Sequence, residues 1–155
     1  MPTPTYTLID SVTLASSSTS VTFSSIPQTY GDLVLVCNVG AALLRINGSS
    51  TAANYKKVGM IGSVSSAITA TDGGQTFFGS NNTSLANGIS KFQFMDYSAT
   101  DKHKSLLFQY TQASNAVEAY AGRFVSTSAI TSLELVIYTY PAGSTFFLYG
   151  IAKAL

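Results

Sequence analysis

Apolar and polar residues alternate with a period of two through much of this chain, and this alternation constrains the fold more than any other feature. It is clearest over residues 20–23 and 133–138, and it is typical of β-strands with one buried face. Residues 32–39 form a nearly continuous apolar run, which predicts a central strand covered on both faces. No segment carries the apolar stripe of an amphipathic helix. A short helical turn is an alternative interpretation of residues 126–131.

Turn signals containing glycine recur about every ten residues, as expected for short antiparallel strands. The sequence therefore predicts an all-β fold with almost no helix, an antiparallel β-sandwich of the jelly-roll type in one domain spanning residues 1–155. Residues 63–87 are rich in Ser, Thr, Gly and Asn and predict a long surface loop with one weak strand at 67–70. The remaining strands are predicted at 6–11, 12–15, 43–47, 55–61, 89–97, 105–111, 117–124 and 145–151.

Charged residues make up only 10% of the chain, and the net charge is +1. Soluble domains carry about 25% charged residues, so copies of this chain repel one another weakly, which favours a place in an assembly. The lysines and arginines are scattered, which argues against nucleic-acid binding. The N-terminus lacks the pattern of a secretory signal, and no apolar stretch approaches the roughly 20 residues that span a bilayer, so we expect no membrane contact.

Few residues offer catalytic or metal-binding chemistry. Cys37 is the single cysteine and lies in an apolar run, so we interpret it as a buried thiol that forms no disulfide and binds no zinc. His103 is the single histidine, and Asp96, Asp101 and Ser105 lie near it, but this stretch is interpreted as a polar turn and not as a catalytic triad. The carboxylates are dispersed. We therefore expect a protein that is not an enzyme and that uses no cofactor or metal.

The nine tyrosines and nine phenylalanines supply both core and contact residues. Phenylalanines on alternating positions are predicted to fill the core. Tyrosines at strand ends suit a core or a subunit interface, because the ring packs while the hydroxyl reaches a polar partner; a carbohydrate platform is the alternative. These tyrosines are Tyr55, Tyr97, Tyr110, Tyr138 and Tyr140.

The chain closes with a distinctive pattern in which Gly143-Ser144 is followed by aromatic residues and then by Leu148-Tyr149-Gly150-Ile151. Together with earlier segments, this pattern resembles a β-sandwich module that recurs in virion proteins of tailed bacteriophages. The resemblance covers nearly the whole chain in the same order, with a gap over residues 63–87. The matching segments are residues 20–36, 44–49, 53–55, 96–98, 102–105, 129–133 and 142–151.

The resemblance implies a virion structural protein such as a capsid decoration (cement) protein, a tail fibre or another tail-associated protein. Because the module begins within a few residues of Met1 and ends at Leu155, we expect a stand-alone domain, which suits a cement protein that binds and stabilises the outer capsid shell. The implied partners are the major capsid protein and further copies of this chain, as a homotrimer. The implied location is the outer surface of the phage particle, after synthesis in the host cytoplasm.

The alternative function is a tail-fibre or tail-associated receptor-binding module that recognises host surface carbohydrate. A polysaccharide-degrading enzyme is disfavoured, because no paired carboxylates are apparent. Partner contacts are expected from regions that the core does not need: the N-terminal segment, the 63–87 loop and the 102–104 turn. The candidate interface residues are Tyr6, Asp72, Gln75, Asn81, Asn82, Lys102, His103 and Lys104.

Overall fold

A computed structural model describes residues 4–62, 67–71, 74–79, 85, 88–111, 117–136 and 138–153. They form two antiparallel sheets of unequal size, which confirms the predicted all-β antiparallel sandwich. The smaller sheet has the order β2 (Val21–Phe23), β10 (Leu133–Leu135) and β4 (Leu44–Ile46). The larger sheet has eight strands, in the order β1 (Tyr6–Thr13), β11 (Thr145–Ile151), β3 (Asp32–Cys37), β7 (Ile89–Met95), β8 (Lys104–Thr111), β9 (Val117–Phe124), β5 (Tyr55–Gly62) and β6 (Ala67–Thr71).

The larger sheet has two chemically distinct faces because burial alternates along its strands. In β8 every second residue from Lys104 to Tyr110 is buried, and β9 has the same period from Glu118 to Phe124. The smaller sheet contributes to the same hydrophobic core as these buried positions. We call the face toward that core the inner face and the opposite face the outer face.

Three aromatic rings form the centre of the inner face. Phe108 pairs in register with Phe92 on one side and with Tyr120 on the other. The ring of Phe108 stacks on both neighbours, with centroid distances of 5.6 Å to Phe92 and 4.8 Å to Tyr120. The ring of Phe78 lies 5.7 Å from Phe108 on the side of the smaller sheet. These contacts place Phe108 at the junction of three strands and the covering layer.

Buried tyrosine hydroxyls join the two layers of the sandwich. The hydroxyl of Tyr55 on β5 donates to the carbonyl of Ser49 at 2.7 Å and accepts from the amide of Ile46 on β4 at 3.2 Å. The hydroxyl of Tyr110 on β8 donates to the carbonyl of Ala42 at 3.2 Å. Burial of an unpaired hydroxyl would be unfavourable, so these bonds let large rings fill the core.

Asn47 follows the last residue of β4, and its side chain binds a segment that is distant in sequence. Its backbone is left-handed, with φ of 50°, a conformation that asparagine tolerates better than most residues. The side-chain Nδ2 donates to the carbonyl of Ala129 at 2.8 Å, while Oδ1 accepts from the amides of Thr131 at 2.9 Å and Ser132 at 3.1 Å. One side chain thereby satisfies three backbone groups just before β10.

Gly150 has a packing role within the closing pattern of the chain. A Cβ at this position would lie 2.3 Å from the Cγ of Tyr30, which is closer than two carbon atoms can approach. The Tyr30 ring therefore covers the inner face of β11 only because residue 150 has no side chain.

Strand β1 forms one edge of the larger sheet and is irregular. Its register with β11 shifts between Leu8 and Asp10, which marks a β-bulge. Asp10 is exposed, and its Oδ1 accepts a hydrogen bond of 2.7 Å from the amide of Ser11. Because the strand continues through the bulge, the two separate strands predicted at 6–11 and 12–15 are one strand.

Two further expectations need correction. Residues 126–131 contain no helix, because their backbone groups bind other segments: the amide of Ile130 donates to the carbonyl of Tyr97, and the carbonyl of Thr131 accepts from Ile26. The segment predicted as a loop at 63–87 does contain its strand, β6, but it also supplies core. Phe78 is fully buried and forms two backbone hydrogen bonds with Leu44 of β4.

Candidate interaction surface

The outer face of the larger sheet carries the exposed apolar side chains. Leu107 shows the arrangement: Leu106 and Phe108 on either side of it point inward, while Leu107 itself is 51% exposed. The strand register puts the other exposed large hydrophobic residues on the same face. Among the described residues they are Tyr6, Leu8, Val58, Met60, Ile89, Leu107 and Val117.

A shallow groove runs along β9 on this face. Its floor contains Ala119 and Ala121, whose short side chains lie between larger ones on the neighbouring strands. Ala121 pairs with Val58 on β5 and with Leu107 on β8, and Met60 stands beside Ala119. The groove has a volume of about 510 Å³. Small residues between two taller rows therefore create an apolar depression open to solvent.

Polar groups along the groove are mainly neutral. Gln93, Gln109 and Thr69 contribute amides and a hydroxyl, and Lys91 contributes one ammonium group. Among the described residues that face outward from β11 across to β6, Asp32 carries the single carboxylate. Its Oδ1 accepts a hydrogen bond of 2.8 Å from the amide of Asp96. The surface therefore combines apolar side chains with groups that both donate and accept hydrogen bonds.

The turn between β7 and β8 places two of the predicted contact residues in solvent. Lys102 and His103 are exposed. The ammonium of Lys102 lies 2.7 Å from Asp96 Oδ2 and 3.8 Å from Asp101 Oδ1. The hydrogen bond from Lys102 lowers the pKa of the Asp96 carboxyl, and the same bond raises the pKa of Lys102. The side chain that binds Asp96 is thus Lys102. A catalytic triad would need His103 in that position.

Lys104 was predicted to be a surface contact in this turn, and that placement is wrong. The residue is the first of β8, and only 1% of it is exposed. Its ammonium donates to the carbonyls of Ala99, Lys102 and Thr127. The alternation of β8 turns residue 104 inward together with Leu106, and burial lowers the pKa of the ammonium group. Lys104 ties the turn to residues 125–130.

Replacing Lys104 with methionine is expected to lower the free energy of unfolding by about 2 kcal/mol, because three carbonyl groups lose their donor. Methionine keeps an unbranched side chain of similar length. The change would be measured by urea denaturation, with Lys102→Met as the control. Since Lys102 is exposed, its loss should change stability by less than about 0.5 kcal/mol. Equal effects from the two variants would contradict the structural role of Lys104.

The other predicted contact residues are separated. Tyr6 is 56% exposed and lies at the same end of the larger sheet as the β7–β8 turn, since it pairs with Ile151, which pairs with Asp32. Gln75 is partly exposed and belongs to the segment that reaches β4 through Phe78. Asp72, Asn81 and Asn82 lie outside the described residues. The structure therefore brings Tyr6 to the same sheet end as Lys102 and His103, while Gln75 lies three residues before the buried Phe78.

A comparison with protein-family models finds no match, and a search of curated proteins finds none. Among the described residues, no helix has the length and apolar character needed to cross a bilayer. The same residues contain no group of three or more His, Cys, Asp and Glu side chains arranged to hold a metal ion. Cys37 is fully buried, and burial raises the pKa of its thiol far above the usual range.

The sequence interpretation overlooked the outer face. Its signal was present in β8 and β11, where Leu106-Leu107-Phe108 and Phe146-Phe147-Leu148-Tyr149 place apolar residues on both sides of a strand. A strand with one face in solvent should instead alternate apolar with polar residues. These runs therefore indicate that the second face of the larger sheet also carries apolar side chains.

Proposed function

We propose that this chain is a capsid decoration (cement) protein of a bacteriophage particle, which binds and stabilises the outer shell. In this proposal it acts as a homotrimer, and the major capsid protein is its partner. Support comes from the resemblance of residues 20–36 and 142–151 to phage virion modules, and from the β-sandwich fold that such modules share. The low charge of the chain also favours close packing within an assembly.

The apolar outer face is the observation that carries this proposal. Exposed apolar patches of more than a few hundred Å² are uncommon on free monomers and mark surfaces that bind other macromolecules. Here the exposed large hydrophobic side chains gather on one face, with Leu107 and Met60 beside the groove. Such a face suits a protein whose working state is a contact with a shell and with its own copies.

The competing function, carbohydrate recognition at a tail fibre, has less support from the aromatic residues. A sugar platform needs exposed rings, whereas Tyr55, Tyr97, Tyr110 and Tyr140 are buried and Tyr138 is only partly exposed. Three exposed rings remain on the outer face: Tyr6, which is 56% exposed, and the partly exposed Phe147 and Tyr149, whose centroids are 6.4 Å apart. These rings are the observation that favours the receptor-binding alternative.

Copy number in purified phage particles tests the proposal. We expect this chain in many copies, close to stoichiometric with the major capsid protein, when both are quantified by mass spectrometry with isotope-labelled peptides. Isolated protein should also rebind to particles from which it has been stripped, and it should raise the temperature at which they release DNA. A handful of copies per particle, or retention on immobilised host polysaccharide without binding to stripped shells, would contradict the proposal and favour a fibre protein.

A further inference from the structure

We propose that a second copy of this chain covers the outer face of the larger sheet in a two-fold, face-to-face contact that includes the groove along β9, separate from the contacts that would close the proposed homotrimer. Partner contacts were expected from loops and turns, so this inference moves the self-association surface to a sheet face. It rests on Leu107, Met60, Ala119 and Ala121 and not on the phage assignment, because it concerns contacts between copies and not the shell to which they attach.

The size of the face fits a stable contact between proteins. Its eight strands, spaced about 4.8 Å apart and rising about 3.4 Å per residue, span roughly 34 by 24 Å. The flat area of this face is therefore roughly 800 Å², large enough for a contact in which each partner buries about 800 Å² of accessible surface, the size of a standard interface. A short peptide would occupy only a strip of this face, whereas a second folded chain of the same dimensions can cover it.

The polar groups of the face are compatible with self-pairing. The side-chain amides of Gln93 and Gln109 carry both donors and acceptors, so amides from two copies can satisfy each other. A strongly acidic partner would need a cluster of cations, whereas among the described residues that line the groove Lys91 is the single charged one. Lys56 and Arg123 also face outward, but they occupy paired positions at the end of β5 and β9, beyond the groove. A second copy therefore leaves fewer groups without a partner than a strongly charged macromolecule would.

The relief of the groove is also complementary to the face itself. Leu107 and Met60 are 51% and 67% exposed and stand beside the floor formed by Ala119 and Ala121. A protruding leucine or methionine from another copy can fill the depression over the alanines, and apolar surface leaves water on both sides. The contact needs no rearrangement of β8 or β9, whose inner faces are already packed.

Sedimentation velocity of the full chain between about 1 and 200 µM tests this inference. We expect the wild-type protein to form a discrete oligomer, and Leu107→Lys to raise its dissociation constant at least about 30-fold, the effect of losing a central contact residue. Leu107→Met should stay within about threefold, because it keeps an apolar side chain of similar volume. Since residue 107 is half exposed, each variant should remain folded, which circular dichroism would verify.

Thr22→Lys is the matched control, because Thr22 is an exposed strand residue on the smaller sheet. It adds the same charge to another surface and should change the dissociation constant less than about threefold. A monomer throughout the concentration range overturns the inference, as does an oligomer that Leu107→Lys and Thr22→Lys weaken equally. If the chain oligomerises through this face but does not bind stripped phage shells, the inference stands and the proposed function fails.

Discussion

Replacing Phe108 with alanine is expected to lower the free energy of unfolding by about 4 kcal/mol, the range measured when a large aromatic side chain is removed from a core. The Phe108 ring stacks between Phe92 and Tyr120 on the neighbouring strands, and Phe78 approaches it from the covering layer. Its loss leaves a cavity that strands held on both sides by hydrogen bonds cannot close. Urea denaturation followed by circular dichroism would measure the change, since the chain contains no tryptophan.

Two further variants separate the effect of the cavity from the effect of substituting any strand residue. Phe108→Leu fills part of the space and should cost about half as much as the alanine variant. Thr22→Ala alters an exposed strand residue of the smaller sheet, away from the groove, and should change the free energy of unfolding by less than about 0.5 kcal/mol. A loss below about 1 kcal/mol for Phe108→Ala would show that the aromatic cluster is not the centre of the core.

Replacing Asn47 with alanine is the second large expected loss, about 3 kcal/mol in the free energy of unfolding. Alanine would have to adopt a φ of 50°, at a cost of about 1 kcal/mol or more. The carbonyl of Ala129 and the amides of Thr131 and Ser132 would also lose their side-chain partner. These three bonds together contribute about 2 kcal/mol, because the exposed amide of Thr131 can bind water instead. Both terms act on the same segment before β10.

Glycine and aspartate at this position divide those terms. Asn47→Gly relieves the backbone strain, so its cost should reflect the missing hydrogen bonds alone, about 2 kcal/mol. Asn47→Asp keeps the acceptor for Thr131 and Ser132, but its second carboxylate oxygen replaces the donor and repels the carbonyl of Ala129, so it should cost about as much as the glycine variant. Urea denaturation is expected to show alanine as the most destabilising of the three variants. If glycine equals wild type, the side-chain bonds contribute nothing.

The period of two carried most of the strand prediction because it reports a local property, the direction of successive side chains. It also contained the position of Lys104, which follows the inward series of Leu106, Phe108 and Tyr110. Because lysine is charged, Lys104 was instead predicted to lie in solvent. A long aliphatic stem and three carbonyl acceptors allow this ammonium to lie inside, and those acceptors come from segments that no local pattern connects.

Alternation could not show which layer covers which face. Phe78 lies in a stretch of polar composition, and its burial depends on the backbone pairing with Leu44, more than thirty residues earlier in the chain. The groove likewise depends on the order of strands, because Ala121 meets Val58 and Leu107 only once β5 and β8 flank β9. The 102–104 turn and the N-terminal segment were predicted to be surface because the core does not need them, and the contact role of Tyr6, Lys102 and His103 stays a prediction.

The bulge in β1 limits how this sheet can grow. A regular edge strand exposes a row of amides and carbonyls that can recruit another strand, and repeated recruitment would produce fibres. The register shift at Leu8 and Asp10 interrupts that row, and the exposed carboxylate of Asp10 adds a charge that two such edges would have to bring together. The β1 edge is therefore blocked against strand addition, so the proposed face-to-face contact would not compete with pairing of two β1 edges.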